Sequence, residues 1–167
     1  MAIKVGDKLP EGKLNESVEF DPAGCPINPK EVNIGEATRG KRIAIFAVPG
    51  AYTPTCSAKH VPSYVQNFDQ LKAKGVDEIW CLAVNDVFVM ASWGRDQKSG
   101  GKVRMLADGS ADYTKKLGLE LDLVARGMGV RAQRFSMLVE DGTVSKLNIE
   151  APGKYEVSSA EAMLAQL

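Results

Sequence analysis

A nearly continuous apolar run at residues 43–48 constrains the fold of this chain more than any other feature. It reads Ile-Ala-Ile-Phe-Ala-Val, and an apolar run without alternation is typical of a strand covered on both faces. We therefore predict a strand over residues 41–48. The sequence Glu-Ile-Trp-Cys-Leu-Ala-Val predicts a second buried strand over residues 78–84.

Helix signals follow both strands. Apolar residues recur at three- and four-residue spacing over residues 54–74, which predicts a long helix with a kink or break near Pro62. The chain goes on alternating between helix and strand after residue 84. It predicts a helix over residues 85–97, a strand over 102–106 and a helix over 111–117. Strands that alternate with helices pair in parallel through right-handed crossovers.

The C-terminal part predicts an antiparallel hairpin and a final helix. Asp141-Gly142 lies between predicted strands at 134–139 and 143–149, and Asp-Gly in this position is a strong hairpin signal. Ser158 and Glu161 have the spacing of a capping box, with Ser158 as the N-cap.

Two segments carry weaker patterns. Residues 1–40 predict one short strand within 13–20, followed by proline-rich turns, and residues 119–124 predict a turn or a helical piece. The whole pattern predicts a single α/β domain over residues 1–167, with a central mixed β-sheet flanked by helices on both faces. A chain of 167 residues is long enough for one sizeable core.

Charge and hydropathy exclude several classes of function. The chain has 21 basic and 21 acidic residues and no polybasic cluster, so we expect no nucleic-acid partner and no anionic membrane partner. Its apolar runs are far shorter than the roughly 20 residues of a membrane span. The N-terminus has no charged-then-apolar signal pattern, so a cytoplasmic location is expected.

The chain has three cysteines, Cys25, Cys56 and Cys81, and one histidine, His60. It has no Cys-x-x-Cys pair, which argues against a dithiol reductase or isomerase and against a simple zinc site. We therefore expect no metal site.

Cys56 differs from the other two cysteines in its local sequence. Thr53 is a good N-cap, and Pro54 suits the first helical position, so Cys56 becomes the third residue of the helix. Amides without intrahelical partners and the positive end of the dipole favour a thiolate there. By contrast, Cys81 lies in a predicted buried strand, and Cys25 lies in a loop where we expect no role.

Pro49, Thr53 and Cys56 also match the Pro-x-x-x-Thr-x-x-Cys motif of the peroxiredoxins. The surrounding run, Val-Pro-Gly-Ala-Tyr-Thr-Pro-Thr-Cys-Ser-Ala-Lys-His-Val-Pro, resembles the type II (peroxiredoxin-5-like) branch. The resemblance continues through five further runs, at residues 3–7, 84–90, 106–111, 134–136 and 157–161. It implies a thioredoxin-like fold and a thiol peroxidase that acts on hydrogen peroxide and alkyl hydroperoxides without metal, haem or flavin.

The resemblance also implies roles for four residues. Cys56 matches the peroxidatic cysteine, whose thiolate attacks a peroxide oxygen and becomes a sulfenic acid. Thr53 matches the threonine whose hydroxyl bonds the thiolate and the peroxide. Pro49 matches the proline that shields the pocket from water, and Arg134 matches the arginine that stabilises the thiolate and orients the substrate. The family does not require a base at His60.

The reductant stays open between two routes. Some relatives carry a resolving cysteine near the C-terminus, but residues 153–159 contain none. Glutathione or a glutaredoxin could resolve the sulfenic acid, with thioredoxin as another reductant. Alternatively, Cys56 could form a disulfide with Cys81, which resembles the second cysteine of plant-type members, but this would demand backbone movement. The first route is preferred.

The resemblance implies a homodimer as well. A different class of function also remains open, a thioredoxin-like redox sensor or holdase in which peroxidase turnover is incidental.

Overall fold

The computed structural model describes all residues from Met1 to Leu167. The strands are β1 Lys13–Glu16, β2 Glu19–Phe20, β3 Pro26–Ile27, β4 Lys30–Asn33, β5 Arg42–Ala47, β6 Glu78–Ala83, β7 Arg104–Ala107, β8 Glu120–Leu123, β9 Gly129–Ala132, β10 Phe135–Glu140 and β11 Thr143–Ile149. The α-helices are α1 Ile34–Thr38, α2 Val61–Gln66, α3 Phe68–Ala73, α4 Val87–Asp96, α5 Asp112–Leu117 and α6 Ala160–Leu164. A π-helical turn spans Cys56–His60, and a 3₁₀ turn spans Val124–Arg126.

Seven strands form the central sheet in the order β11-β10-β5-β6-β7-β1-β4. The pairs β5–β6 and β6–β7 are parallel, as the alternation of strands and helices predicts. Strand β10 pairs antiparallel with both β5 and β11, and β1 pairs antiparallel with β7 and β4. The expected central mixed sheet is therefore confirmed.

Alternating side chains of the sheet build one core on each face. In β5, Ile43 and Ile45 point to one face, while Ala44 and Phe46 point to the other. Helices α1 and α5 contribute to the first core, and α2, α3, α4 and α6 contribute to the second. Because both faces are covered, the inner strands are apolar throughout, which is why they were evident in the sequence.

Two predictions for the weakly patterned segments were wrong or incomplete. Residues 119–124 form neither a turn nor a helix over most of their length, because Glu120–Leu123 is strand β8 and pairs antiparallel with β9. The N-terminal segment holds strand β4 and helix α1 in addition to the expected short strand.

The N-cap of the final helix is Ser159, one residue later than predicted. The Ser159 side chain accepts a hydrogen bond from the amide of Ala162 at 3.1 Å. Ser158 instead donates its hydroxyl to Glu150, and Glu161 accepts a hydrogen bond from Asn67. The predicted hairpin is confirmed, with Asp141 and Gly142 both at positive φ as a tight turn requires.

The long helix predicted over residues 54–74 is divided into three parts. Pro54 and Thr55 begin it, the π-helical turn follows, and α2 and α3 meet at Asn67. In the π-helical turn the amide of Val61 donates to the carbonyl of Cys56, five residues back. Pro62 comes directly after this bond and has no N–H, so the irregularity expected near Pro62 lies at the widened turn before it.

None of the helices is both long enough and apolar enough to cross a membrane.

Candidate active site

Cys56 lies at the start of the helix that follows β5. The carbonyl of Thr53 accepts the amide of Ser57 at 3.0 Å, which makes Thr53 the N-cap position and Cys56 the third helical residue, as predicted. The Cys56 side chain is completely buried, on the same face of the sheet as α2 and α4. Its sulfur is therefore shielded from solvent.

The Thr53 hydroxyl does not cap the helix in the predicted way. It donates a hydrogen bond to the carbonyl of Gly50 at 2.7 Å instead of accepting one from a helical amide. This bond closes the turn between Pro49 and Cys56. In this arrangement the hydroxyl hydrogen is directed to Gly50, and the Cys56 sulfur has Arg134 as its hydrogen-bond partner.

Arg134 approaches Cys56 from a different part of the chain. It directly precedes β10, and Phe135 of β10 pairs with Ala47 at the end of β5. This pairing brings the guanidinium to the helix start, where Nη2 donates to the Cys56 Sγ at 3.1 Å. The sheet register therefore joins two of the residues that the sequence resemblance selected.

His60 completes a chain of hydrogen bonds behind the guanidinium. Arg134 Nη1 lies 2.8 Å from His60 Nδ1, and His60 Nε2 lies 2.9 Å from the carbonyl of Ser158. Since the guanidinium can only donate, Nδ1 must accept and Nε2 must carry the proton. Burial, together with the neighbouring positive charge of Arg134, lowers the pKa of His60 to about 3.

Neutral His60 therefore orients Arg134 and has no lone pair left to serve as a base for Cys56. This agrees with the sequence-based view that a base is not required there. The positioning role was missed, and its only sequence signal was a histidine four residues after the reactive cysteine.

Glu150 fixes the segment that supports His60. Its carboxylate accepts the amides of Glu156, Val157 and Ser158 and the hydroxyl of Ser158, at 2.7–2.9 Å. Burial acts to raise the pKa of Glu150, but these hydrogen bonds outweigh it and hold the pKa below its usual range. The carbonyl of Ser158 is thus held in place for the His60 ring.

Pro49 lies in the turn before Cys56 and lines a cavity with Arg134. The cavity has a volume of about 290 Å³. The Pro49 carbonyl is 3.4 Å from Arg131 Nη1, and the Ala51 amide donates to the Asn85 side chain at 2.9 Å. These contacts hold the turn from both sides, and neither Arg131 nor Asn85 was singled out from the sequence.

The other cysteines have opposite environments. Cys81 is completely buried in β6 between β5 and β7, and burial raises the pKa of its thiol well above the ordinary value. Cys25 is exposed in the loop that joins β2 and β3. Both positions agree with the sequence-based interpretation.

The arrangement combines a buried thiol, the positively charged guanidinium of Arg134 beside its sulfur, and a small adjoining cavity. The guanidinium lies at hydrogen-bond distance from the sulfur, and sulfur is the nucleophilic atom of cysteine. No group of three or more histidine, cysteine, aspartate or glutamate side chains is arranged to hold a metal ion. The site is suited to nucleophilic attack by sulfur on a small electrophile.

A family model and a similar plant protein identify the family of this chain. The family model described as Redoxin matches residues 4–164. Peroxiredoxin-2B of Arabidopsis thaliana is 44% identical over 165 residues, which cover 99% of this chain and 98% of that protein.

Two solved structures are similar along almost their whole length. Reduced Prx3 from Vibrio vulnificus in complex with H₂O₂ is 45% identical, with a TM-score of 0.88 and coverage of 98% of both chains. A structure from Burkholderia cenocepacia, described as a putative thioredoxin reductase, is 53% identical, with a TM-score of 0.94 and coverage of 100% of this chain and 99% of that one.

Proposed function

Because the chain belongs to the Redoxin family and is similar to type II peroxiredoxins along its whole length, we propose that Cys56 is its peroxidatic cysteine and that Thr53, Arg134 and Pro49 complete the site. Membership confirms the thioredoxin-like fold and the thiol-dependent peroxidase activity expected from the sequence. The observation that supports these assignments most directly is the 3.1 Å contact between Arg134 Nη2 and the Cys56 sulfur.

In the proposed reaction the Cys56 thiolate attacks one oxygen of the hydroperoxide. An S–O bond forms, the O–O bond breaks, and the second oxygen leaves with a proton as water or an alcohol. Arg134 is placed to stabilise the thiolate and then the charge that develops on the peroxide oxygens. Pro49, in the cavity wall, limits the access of water, and Thr53 is placed to bind the peroxide through its hydroxyl once that hydroxyl turns from Gly50.

Cysteine variants test the assignment of Cys56. Cys56→Ser should reduce the consumption of hydrogen peroxide by at least a thousandfold, because an alcohol is not ionised at neutral pH. Cys25→Ser is the matched control and should retain the full rate, since Cys25 is an exposed loop residue. Peroxide loss is followed by stopped-flow fluorescence or a colorimetric assay. Full activity in Cys56→Ser would overturn the assignment.

For the reductant we propose glutathione, acting alone or with a glutaredoxin. Residues 153–159 contain no cysteine, and Cys81 lies inside a central strand, where a bond to Cys56 would require the sheet to distort. Thioredoxin is the competing reductant. Mass spectrometry of the peroxide-treated protein should show a glutathione adduct on Cys56, whereas a Cys56–Cys81 disulfide would contradict this route.

Two other classes of function are distinguished from the peroxidase by enzymatic assays. A redox sensor or holdase would be oxidised once and stay oxidised in the presence of glutathione and glutaredoxin, whereas the proposed peroxidase turns over continuously. A dithiol reductase or isomerase would reduce insulin. We expect no insulin reduction, because the chain has no Cys-x-x-Cys pair.

We further propose a homodimer that forms next to the site. Tyr52, in the turn before Cys56, is 54% exposed, and Phe88, at the start of α4, is 49% exposed. Exposed aromatic side chains of this kind are enriched at protein interfaces. Phe88→Glu should shift the sedimentation coefficient from that of a dimer to that of a monomer, and a monomeric parent protein would contradict the proposal.

A cytoplasmic location is proposed as well. All three cysteines are unpaired, which fits a reducing compartment. Cell fractionation that finds the protein in an oxidising compartment would contradict it.

A further inference from the structure

The cavity beside Arg134 has a size and lining suited to a small molecule with both polar and apolar parts. Its volume of about 290 Å³ is just below that of typical ligand pockets, which span roughly 300–1,000 Å³. Apolar atoms make up the larger part of its surface, and Arg134, Gln133, Glu150 and Lys154 add polar groups to its wall. Arg134 both lines the cavity and contacts the Cys56 sulfur, so its side chain connects the cavity to the reacting atom.

The charged groups of the cavity are not equally available to a ligand. Arg134 uses Nη1 for His60 and Nη2 for Cys56. The Glu150 carboxylate accepts the hydrogen bonds of the 156–158 segment. Lys154 takes part in none of the ion pairs of the chain, so its ammonium is the one charge of the cavity wall with no partner.

Gln133 adds a polar group to the same wall. Its side-chain amide nitrogen donates to the carbonyl of Glu120 at 3.3 Å, which leaves its carbonyl oxygen facing no donor within the chain. The cavity wall thus carries the unpaired ammonium of Lys154, which can bind an anion, and the carbonyl oxygen of Gln133, which can accept a hydrogen bond from an N–H. A peptide with a free carboxylate satisfies both groups, whereas an apolar hydroperoxide satisfies neither.

We propose that Lys154 binds a carboxylate of glutathione and so positions its thiol for attack on oxidised Cys56. The proposal rests on the proposed function, in which glutathione is the reductant. The glutathione sulfur attacks the sulfur of the sulfenic acid, an S–S bond forms, and the S–O bond breaks. The hydroxyl leaves with the thiol proton as water, and a second glutathione releases glutathione disulfide and the Cys56 thiol.

A single-turnover experiment tests the role of Lys154. Cys56 is oxidised with one equivalent of hydrogen peroxide, and the protein is then mixed with glutathione or with its diethyl ester, in which both carboxylates are blocked. For the unmodified chain we expect glutathione to react faster than the ester. Lys154→Ala should slow the reaction with glutathione by up to about fivefold, as expected for a solvent-accessible ion pair, and should leave the ester rate unchanged.

Two further variants sharpen the test. Lys154→Glu should slow the reaction with glutathione more than Lys154→Ala does, because a carboxylate at residue 154 repels the carboxylates of glutathione. Added salt should reduce the difference in rate between the two variants. Lys146→Ala is the matched control. Lys146 is an exposed lysine of β11 that does not line the cavity, so the variant should react with glutathione at the parent rate.

The outcomes separate this inference from the proposed function. Equal rates with glutathione for the parent chain, Lys154→Ala and Lys154→Glu would overturn the role of Lys154 and leave glutathione as the reductant. If glutathione does not reduce the oxidised parent chain but thioredoxin does, the proposed reductant is wrong and the role of Lys154 fails with it. A loss of rate in Lys154→Ala that occurs equally with the ester would also overturn the inference, because it would show that no carboxylate is involved.

Discussion

At the scale of single residues, the orientation of Arg134 depends on a histidine that is kept neutral. His60 would repel the guanidinium if it were protonated, and its Nδ1 would no longer accept a hydrogen bond from Arg134. Burial inside the second core is the larger effect that disfavours the protonated form of His60, and the positive charge of Arg134 disfavours it further. The same burial therefore fixes both the ring and the protonation state that the contact requires.

This arrangement predicts a loss of stability in mild acid. The pKa of His60 is about 3 in the folded protein and 6.5 in an exposed chain, so between these values the unfolded state binds one more proton. Stability is therefore lost as the pH falls from 6.5 towards 3, by roughly 4 to 5 kcal/mol at about 1.4 kcal/mol per pKa unit. Glu150, whose pKa is held low by hydrogen bonds, acts in the same direction as it becomes protonated.

Urea unfolding at pH 7 and pH 4 measures the effect. His60→Asn should show a smaller difference in the free energy of unfolding between the two pH values than the parent chain does. Because His60 is the only histidine, its titration is also visible as a single imidazole resonance by NMR. A midpoint near 6.5 in the folded protein would contradict the prediction.

At the scale of elements, the π-helical turn sets the position of Cys56 relative to the rest of its helix. The turn widens the helix by one residue before Pro62, which cannot donate a backbone hydrogen bond. Restoring a donor at this position should allow the ordinary α-helical register and rotate Cys56 relative to Arg134.

Pro62→Ala should therefore separate stability from activity. We expect the free energy of unfolding to stay the same or to rise by about 1–3 kcal/mol, since proline is the poorest helix former. The rate of Cys56 oxidation by hydrogen peroxide should fall by about tenfold or more, because small displacements from the reactive geometry are costly. Pro22→Ala, in the β2–β3 loop, is the control. An unchanged oxidation rate in Pro62→Ala would show that the turn does not position the sulfur.

The elements that could be predicted from the sequence are those specified by nearby residues. Strands β5 and β6 are apolar throughout, and the hairpin of β10 and β11 has its Asp-Gly turn. Strand β8 was misassigned although Leu121 and Leu123 alternate with charged residues, because four alternating residues also suit a turn. Its partner β9 begins at Gly129, shortly after Gly127, and pairing across such a loop is not specified locally.

At the scale of the whole molecule, the site is assembled from three distant segments. Cys56 and Pro49 come from the β5–helix junction, Arg134 directly precedes β10, and Glu150 follows β11. The sequence resemblance selected Arg134, but the reason for its position is the antiparallel pairing of β10 with β5. The supporting chain through His60 to Ser158 could not be predicted, because it depends on side chains that meet only when the last segment folds over the sheet.

The buried position of Cys81 gives a prediction for the catalytic cycle. Cys81→Ala should cost about 1–2 kcal/mol of stability, because it leaves a small void in the second core. Turnover with glutathione should continue at a rate close to that of the parent chain, since Cys81 is buried in β6 and the hydrogen-bond partner of the Cys56 sulfur is Arg134. A coupled assay that follows NADPH consumption through glutathione reductase measures this, and loss of turnover with glutathione would identify Cys81 as a resolving cysteine.

The three cysteines differ so much in exposure that the native protein can be labelled selectively. Cys25 is exposed, while Cys56 and Cys81 have no accessible surface. A maleimide dye is far larger than a peroxide and should attach to Cys25 alone while the chain is folded. A fluorophore on the β2–β3 loop would then report on the oxidised and reduced protein without any engineered cysteine.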